Sequence, residues 1–128
     1  MAFDLHAYVA AFNAGDDAAV VDTFFTEDVV IDGPGRSLVG REAWTALLQG
    51  IHSGIRETLT PIAWAQSGDV LLSEMQVDFV ATEDRPHFFY GPLEKGEAMR
   101  MRFFASYRLR GDLIERLALA WWPIEEPA

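Results

Sequence analysis

The spacing of the hydrophobic residues changes along this chain, at about residue 55, and this change most constrains the fold. Before it, apolar side chains recur every three or four residues, as on one face of an α-helix. After it, apolar and polar side chains alternate, as in a β-strand with one buried face. Helices first and long strands afterwards predict an α+β domain.

The first part of the chain predicts three helices, each with an apolar face. The first helix ends near Gly15, which adopts positive φ at little cost, and Asp16 can cap the second. The third follows Gly40. Their predicted buried faces are Leu5, Tyr8, Val9 and Phe12; Val20, Val21, Phe24 and Phe25; and Trp44, Leu47, Leu48, Ile51 and Ile55.

Strand patterns fill most of the remaining sequence. A short strand over 29–32 precedes the turn Gly33-Pro34-Gly35, and the later strands are predicted over 57–66, 69–82, 99–110 and from 113 onward. Segment 83–98 is irregular yet contains His87-Phe88-Phe89-Tyr90. A loop this apolar is expected to cover a pocket mouth or a partner surface.

Length and composition limit the classes of function. The 128 residues suit one domain over 1–128, with a core over about 4–123. The chain has no cysteine, which excludes disulfides and thiolate chemistry, and its net charge of −10 disfavours nucleic acid as a partner. No apolar run is long enough for a membrane span and no signal pattern begins the chain, so a cytoplasmic location is expected.

Two residues could carry chemistry. Asp32 ends a short apolar strand, where a partly desolvated carboxylate becomes a stronger base. Tyr8 lies on the buried face of the first helix, from which a phenol can donate a hydrogen bond to an oxyanion. Taken singly, each has a simpler explanation, since aspartate is a common turn residue and tyrosine a common core residue.

Both residues lie in segments that resemble a known family. The sequence Tyr8-Val9-Ala10-Ala11-Phe12-Asn13-Ala14-Gly15-Asp16 closely resembles the first-helix segment of ketosteroid isomerases, and Val30-Ile31-Asp32-Gly33-Pro34-Gly35 resembles the segment with their general base. The resemblance implies that Asp32 is the base and Tyr8 the oxyanion donor, without a cofactor. It also implies the nuclear transport factor 2-like (cystatin-like) fold, a cone-shaped, curved mixed sheet wrapped around three N-terminal helices. That superfamily includes SnoaL-like polyketide cyclases, limonene epoxide hydrolases and scytalone dehydratase-like enzymes.

The chain departs from the isomerase pattern at one position. Where the family has a second acid on an inner strand, this sequence has Ala105, with Tyr107 two positions away on the same face. Losing one oxyanion donor costs about 10²–10³ in rate. The Asp-Arg-Asp group of the epoxide hydrolases is also missing from the last two strands. The dehydratase type uses pocket histidines, for which His52 and His87 are candidates.

The resemblance and the apolar faces together predict a pocket for a small apolar or polycyclic ligand. Its predicted wall, besides Tyr8 and Asp32, is Phe12, Phe24, Trp44, Leu48, His52, Met75, Phe103, Tyr107, Leu119 and Trp121. The three histidines show no metal-ligand spacing, so no metal is predicted.

The outward strand faces carry arginines and acidic residues that can pair across strands. Phe104 and Trp122 share that face, which predicts a homodimer through the outer sheet.

Two functional hypotheses remain open from the sequence. The first is an isomerase- or cyclase-type enzyme that moves a proton next to a carbonyl, with Asp32 and Tyr8 in the roles given above. The second is a ligand-binding or assembly module of the same fold without catalysis, motivated by Ala105 in place of the second acid.

Overall fold

The structure, a computed structural model, describes residues 3–124. Three helices and six strands follow one another in the order ααββαββββ. The helices are α1 (Leu5–Ala14), α2 (Asp17–Phe24) and α3 (Arg41–His52). The strands are β1 (Phe25–Gly33), β2 (Arg36–Val39), β3 (Ile55–Ser67), β4 (Val70–Ala81), β5 (Ala98–Arg110) and β6 (Leu113–Pro123).

The six strands form a mixed sheet in the order β2-β1-β6-β5-β4-β3. Neighbouring strands are antiparallel except β1 and β6, which run parallel. The long strands β3 to β6 form a meander that curves around the helices, as a strongly twisted sheet can. The predicted α+β fold, a curved sheet with three helices, is confirmed.

The first helix has the predicted buried face and ends. The Asp4 carboxylate accepts from the Ala7 N–H at 3.1 Å, and Gly15 terminates the helix with a φ of 93°. Asp16 caps α2 by accepting from the Ala19 N–H at 3.1 Å. Each such side-chain cap stabilises a helix by about 1 kcal/mol.

Two helix ends were predicted wrongly. Phe25 and Ile55 were placed on helix faces, but they begin β1 and β3. A buried apolar residue at a helix-to-strand junction fits both periodicities, so the pattern cannot assign it. The short strand β2 was not predicted, because Arg36-Ser37 at its start is polar and the strand lies at the sheet edge.

A single hydrophobic cluster joins the helices to the inner face of the sheet. Its largest fully buried side chains are Phe25, Phe79, Ile114, Val21, Val29 and Val77. Burying a side chain of this kind stabilises the fold by about 1.5–3 kcal/mol. In the loop after β4, Phe88 packs edge-on against Phe79 at 5.3 Å between ring centroids, so the aromatic loop covers one part of the core.

The outer face of the sheet carries cross-strand ion pairs and exposed aromatics. Arg100 binds Asp78 at 2.8 Å and Arg102 binds Glu74. The rings of Phe104 and Trp122 lie 5.2 Å apart and are nearly half exposed. Within residues 3–124, none of the helices is long and apolar enough to span a membrane.

Candidate functional site

A cavity of about 290 Å³ lies between the helices and the inner face of the sheet. Its wall combines side chains from α1 and α3, the β1–β2 hairpin, the loop after β4 and the inner faces of the long strands. This volume is at the lower end of small-molecule pockets, which are about 300–1,000 Å³. Most of the wall is apolar or aromatic, so it suits an apolar ligand with few polar groups.

Nine of the residues predicted for the pocket contribute to its wall: Tyr8, Phe12, Trp44, Leu48, Met75, Phe103, Tyr107, Leu119 and Trp121. Ala105, which the resemblance aligned with the second acid of the isomerases, is also on the wall and contributes only a methyl group to it. Asp32, Phe24 and His52 are not part of the wall.

Asp32, the predicted base, lies on the opposite face of the sheet. The prediction that it lines the cavity is therefore wrong. Ile31 and Gly33 line the cavity, so strand alternation turns the intervening Asp32 outward, beside Ala118 of β6. The Asp32 carboxylate accepts from Ser37 Oγ at 2.9 Å and from Arg116 Nε at 2.8 Å. A carboxylate paired on the outer face is out of reach of a ligand in the cavity.

Phe24 and His52 support the wall from behind. The ring of Phe24 packs edge-on against Tyr8 at 5.5 Å, and His52 contacts the edge of Phe12 at 5.5 Å between ring centroids. Neither was predicted correctly as a lining residue, because helical spacing identifies a buried face without separating core positions from cavity positions.

Glu57 is the acidic residue on the cavity wall, and the sequence analysis did not find it. It lies near the start of β3, opposite the fully buried Phe79, and its side chain is 8% exposed. Its Oε1 lies 2.7 Å from Nε2 of His52. Its Oε2 has no hydrogen-bond partner among residues 3–124.

His52 links Glu57 to a second carboxylate. Its Nδ1 lies 2.8 Å from Oδ1 of Asp17, so the imidazole bridges the two acids through opposite ring nitrogens. Asp17 opens α2 and His52 closes α3, positions at which a helix dipole favours an anion and a cation, respectively. All three side chains are at most 15% exposed.

The network and its burial shift the pKa of two members. Burial by itself lowers the pKa of His52, but the carboxylates of Glu57 and Asp17 outweigh it and the net shift is upward. Burial raises the pKa of Glu57 above its ordinary value, and the hydrogen bond and charge of His52 oppose this rise in part. Both shifts move these groups toward the neutral range in which a general acid or base works best.

Two placements of the protons satisfy both hydrogen bonds of His52. Ionised carboxylates accept but do not donate, so two ionised acids require an imidazolium that donates from both nitrogens. Alternatively, a neutral His52 donates to Asp17 while a protonated Glu57 donates to Nε2. One proton between Nε2 and Oε1 distinguishes them, so His52 keeps Glu57 fixed in either charge state.

Phenol groups share the cavity wall with this carboxyl. Burial raises the pKa of Tyr8 well above its ordinary value, and the nearby Tyr107 and Glu57 raise it further. Burial raises the pKa of Tyr107 to about 12, although its weak contact with Ser73 Oγ at 3.4 Å lowers it slightly. The Tyr8 hydroxyl forms no hydrogen bond within the described chain, so a neutral donor is available to a ligand oxygen.

The mouth of the cavity is formed by the β1–β2 hairpin and the aromatic loop. Pro34 and Arg36 contribute from the hairpin, and Phe89 and Tyr90 from the loop. The guanidinium of Arg36 lies over the Phe89 ring, 5.5 Å from its centroid. The prediction that the aromatic loop covers a pocket mouth agrees with this placement, whereas His87 of the same loop is exposed and off the wall.

No metal site accompanies this arrangement in the part of the chain that is described. Groups of three or more acidic or histidine side chains with metal-binding geometry are absent from residues 3–124. The two carboxylates of the network bind opposite sides of one imidazole, so the three groups do not converge on a point.

A family model for the SnoaL-like domain matches residues 5–117, most of the chain. The chain therefore belongs to the SnoaL-like family. The match includes the helices, the cavity wall from Tyr8 to Leu117 and the whole Asp17–His52–Glu57 network. No curated protein sequence matches this SnoaL-like chain significantly.

Solved structures place this SnoaL-like protein among similar folds. A candidate polyketide cyclase from Xanthomonas campestris is 27% identical with a TM-score of 0.76, and the match covers 90% of this chain and 84% of the other. A candidate polyketide cyclase from Pseudomonas putida is 26% identical with a TM-score of 0.76, covering 91% and 86%. A protein from Catenulispora acidiphila with a ketosteroid isomerase-like fold, in complex with trimethylamine, is 17% identical with a TM-score of 0.72, covering 91% and 82%. The last likeness shows the fold alone.

A sequence signal for Glu57 exists in this SnoaL-like chain. Every second side chain of β3 faces inward, and three of these are Ile55, Glu57 and Leu59. An acid therefore lies between two apolar residues on the buried face. A buried acid requires a partner. His52, at the end of the preceding helix, was already a candidate. Pairing His52 with Glu57 would have predicted their contact from the sequence.

Proposed function

We propose that this SnoaL-like protein is an isomerase- or cyclase-type enzyme that moves a proton at a carbon next to a carbonyl of a small apolar or polycyclic ligand. Glu57 takes the role of base that the sequence analysis gave to Asp32, and Tyr8 keeps the role of oxyanion donor. One observation carries the proposal: Glu57 is an acid on an otherwise apolar wall, with Oε1 held by His52 and Oε2 free.

The chemistry requires two protein groups. Oε2 of Glu57 takes the proton from the carbon, and the electrons of the broken C–H bond form an enolate. The Tyr8 hydroxyl hydrogen-bonds the enolate oxygen as it becomes negative, which is worth about 2.7–4 kcal/mol for one well-placed donor. Glu57 then returns the proton to the same carbon or to a conjugated carbon, so atoms and charge balance.

His52 and Asp17 act as positioning residues. With both acids ionised, the imidazolium donates to Oε1 and keeps the carboxylate from rotating away from the cavity. Asp17 holds the other nitrogen and compensates the imidazolium charge. When Glu57 has taken a proton on Oε2, the hydrogen bond from His52 to Oε1 persists, so the cycle needs no rearrangement of the network.

Similarity supports the reaction class. Two of the similar solved structures are described as candidate polyketide cyclases. Cyclisation and isomerisation of carbonyl compounds share the abstraction of an acidic C–H proton. An enolising acid–base pair in an apolar cavity serves both.

The experiment uses 3-cyclohexen-1-one, a small β,γ-unsaturated ketone whose conversion to the conjugated isomer is followed by ultraviolet absorbance. The purified chain is expected to accelerate the conversion. Glu57→Gln should lower the rate by about 10²–10⁴, since it removes the general base. Tyr8→Phe should lower it by about 10²–10³. Asp32→Asn is the matched control, a carboxyl-to-amide change outside the cavity, and should stay within about twofold.

Equal rates for the wild type and Glu57→Gln would refute the assignment of the base. If Asp32→Asn were the slow variant instead, the original prediction would be right and the geometric argument wrong. A wild type that binds the ketone, detected by quenching of Trp44 and Trp121, but does not convert it would favour the non-catalytic ligand-binding module.

The remaining partner and location assignments are also proposals. We propose that a second copy of the chain binds the outer sheet face, where Phe104 and Trp122 are exposed among cross-strand ion pairs. Beside them, Leu72 and the alanines of β3 and β6 line an open apolar groove. The cytoplasmic location and the absence of a nucleic-acid partner remain predictions from composition.

A further inference from the structure

The cavity wall carries two charged residues of opposite sign within the described chain. Glu57 is buried and engaged with His52, whereas Arg36 is exposed at the mouth. The two side chains form no ion pair with each other. The charge pattern therefore distinguishes an inner, acidic site from an outer, basic one.

Within residues 3–124, the guanidinium of Arg36 has all its hydrogen-bond donors available. It makes no side-chain hydrogen bond to any of residues 3–124, and it lies over the face of the Phe89 ring. Its hairpin neighbour Asp32 is already taken by Arg116 and Ser37. By contrast, Arg102, Arg110 and Arg116 on the outer sheet face pair with acids.

Acids outnumber basic residues two to one in the chain, 20 against 10, and among residues 3–124 Arg36 is the basic residue that lines the cavity. Arg56 and Arg108 likewise lack a hydrogen-bond partner in the described part, but neither lines the cavity. The net charge of −10 repels anions at long range. An anionic ligand would therefore need a local cation, and the mouth supplies one.

We propose that the ligand is an amphipathic monoanion, such as a carboxylic acid with an apolar or aromatic body, whose charged group is bound by Arg36 at the mouth. A guanidinium binds such groups through a planar fork, and the cation–π contact with Phe89 helps to hold that group at the mouth. The anion stays outside because Glu57 would repel it further in. The apolar body then enters the cavity and brings its reactive carbon toward Glu57. This inference deepens the proposed function and names its substrate class.

The test measures binding without turnover, with a matched pair of fluorescent probes. The anionic probe is 1-anilinonaphthalene-8-sulfonate, and the neutral probe is N-phenyl-1-naphthylamine, the same ring system without the sulfonate. The measurements use a Trp64→Phe/Trp122→Phe background, because these two exposed tryptophans lie off the cavity, so that energy transfer comes from Trp44 and Trp121 on its wall. Arg36→Gln should weaken the anionic probe about fivefold, the upper range for an exposed ion pair, and leave the neutral probe unchanged.

Two further variants separate the local effect from net charge and from packing. Arg108→Gln removes the same charge from an exposed position off the cavity and should change neither probe. Arg36→Lys keeps the charge but not the fork, and should retain part of the affinity for the anion.

Equal weakening of both probes by Arg36→Gln would overturn the inference, because Arg36 would then shape the mouth instead of selecting charge. An unchanged affinity for the anionic probe, or an equal loss in Arg108→Gln, would overturn it too. These outcomes are independent of the catalytic proposal. The turnover of Glu57→Gln tests the proposed reaction, even if the variant still prefers the anionic probe. The preference of Arg36→Gln for one probe over the other tests the proposed ligand class.

Discussion

Replacing Asp17 by asparagine tests whether the network controls the charge of His52. The substitution keeps the shape of the side chain and a carbonyl oxygen that can accept from Nδ1–H. It removes the negative charge that lies 2.8 Å from the imidazole. The cap of α2 is undisturbed because Asp16, not Asp17, binds the free backbone N–H at the helix start.

The expected magnitude follows from the burial of the pair. A hydrogen bond to a charged group contributes about 1.5–3 kcal/mol, against about 0.5–1.5 kcal/mol for a neutral one. The difference of about 1–1.5 kcal/mol is the expected loss of preference for the imidazolium, so the pKa of His52 should fall in the variant. In the variant, Glu57 still raises the pKa of His52, and the effect of Glu57 is the larger of the two carboxylate effects.

The sign for stability is fixed by linkage. The folded-state pKa of His52 lies above its ordinary value of 6.5, so its stabilising contribution is fully present below pH 6.5 and is lost as pH rises through the folded pKa. Asp17→Asn should therefore reduce the unfolding free energy most near pH 6. The difference from wild type should shrink toward pH 9.

Proton NMR titration of the imidazole C2–H signals measures the pKa directly, and urea unfolding from pH 6 to 9 measures the stability. His6 and His87 are exposed and outside the network, so their signals serve as internal references. A His52 titration identical in wild type and variant would refute the coupling. So would a stability difference that stays constant over this range.

Two further predictions concern pH and assembly. The rate with 3-cyclohexen-1-one should follow a bell-shaped profile, rising with pH above 4.5 as Glu57 ionises and falling above 6.5 as His52 loses its proton. Asp17→Asn should move the alkaline limb to lower pH; a profile flat above pH 6.5 would contradict the role of His52. If the outer face joins two copies, Phe104→Asp should give monomers by light scattering, while Val39→Asp on the edge strand β2 should keep the wild-type mass. A wild type that is already monomeric at high concentration would contradict the dimer.

Much of the architecture could be predicted because periodicity and capping agree along most of the chain. The apolar stripe of α1, the cap residues Gly15 and Asp16 and the alternation in β4 and β5 each favour one structure without conflict. Errors occurred where one residue satisfies two patterns. Phe25 continues the helical stripe of α2 and also begins a buried strand, and local spacing cannot separate these possibilities.

The pocket was predictable as a set of apolar residues, but its chemistry was not. Five of the nine predicted lining residues lie on β4, β5 and β6, where alternate side chains keep facing inward along the strand. The other four lie on the apolar faces of α1 and α3. Asp32 was placed inward by resemblance, although Ile31 beside it is the buried residue. Two adjacent strand residues cannot face the same side without a bulge, and the chain's own hydrophobicity at position 31 already favoured the opposite parity.

The reassignment from Asp32 to Glu57 rests on how a buried charge is compensated. An acid inside an apolar cavity must be protonated or paired with a cation. An exposed arginine on the outer face of the sheet cannot pair with an acid inside the cavity. His52 can, because the ends of α2 and α3 bring Asp17 and His52 against the start of β3. A histidine between two acids holds the inner carboxyl in both charge states, which an arginine, always charged, could not do. If the proposal holds, this chain carries its proton-transferring acid on β3 and not on β1, with a titratable partner behind it.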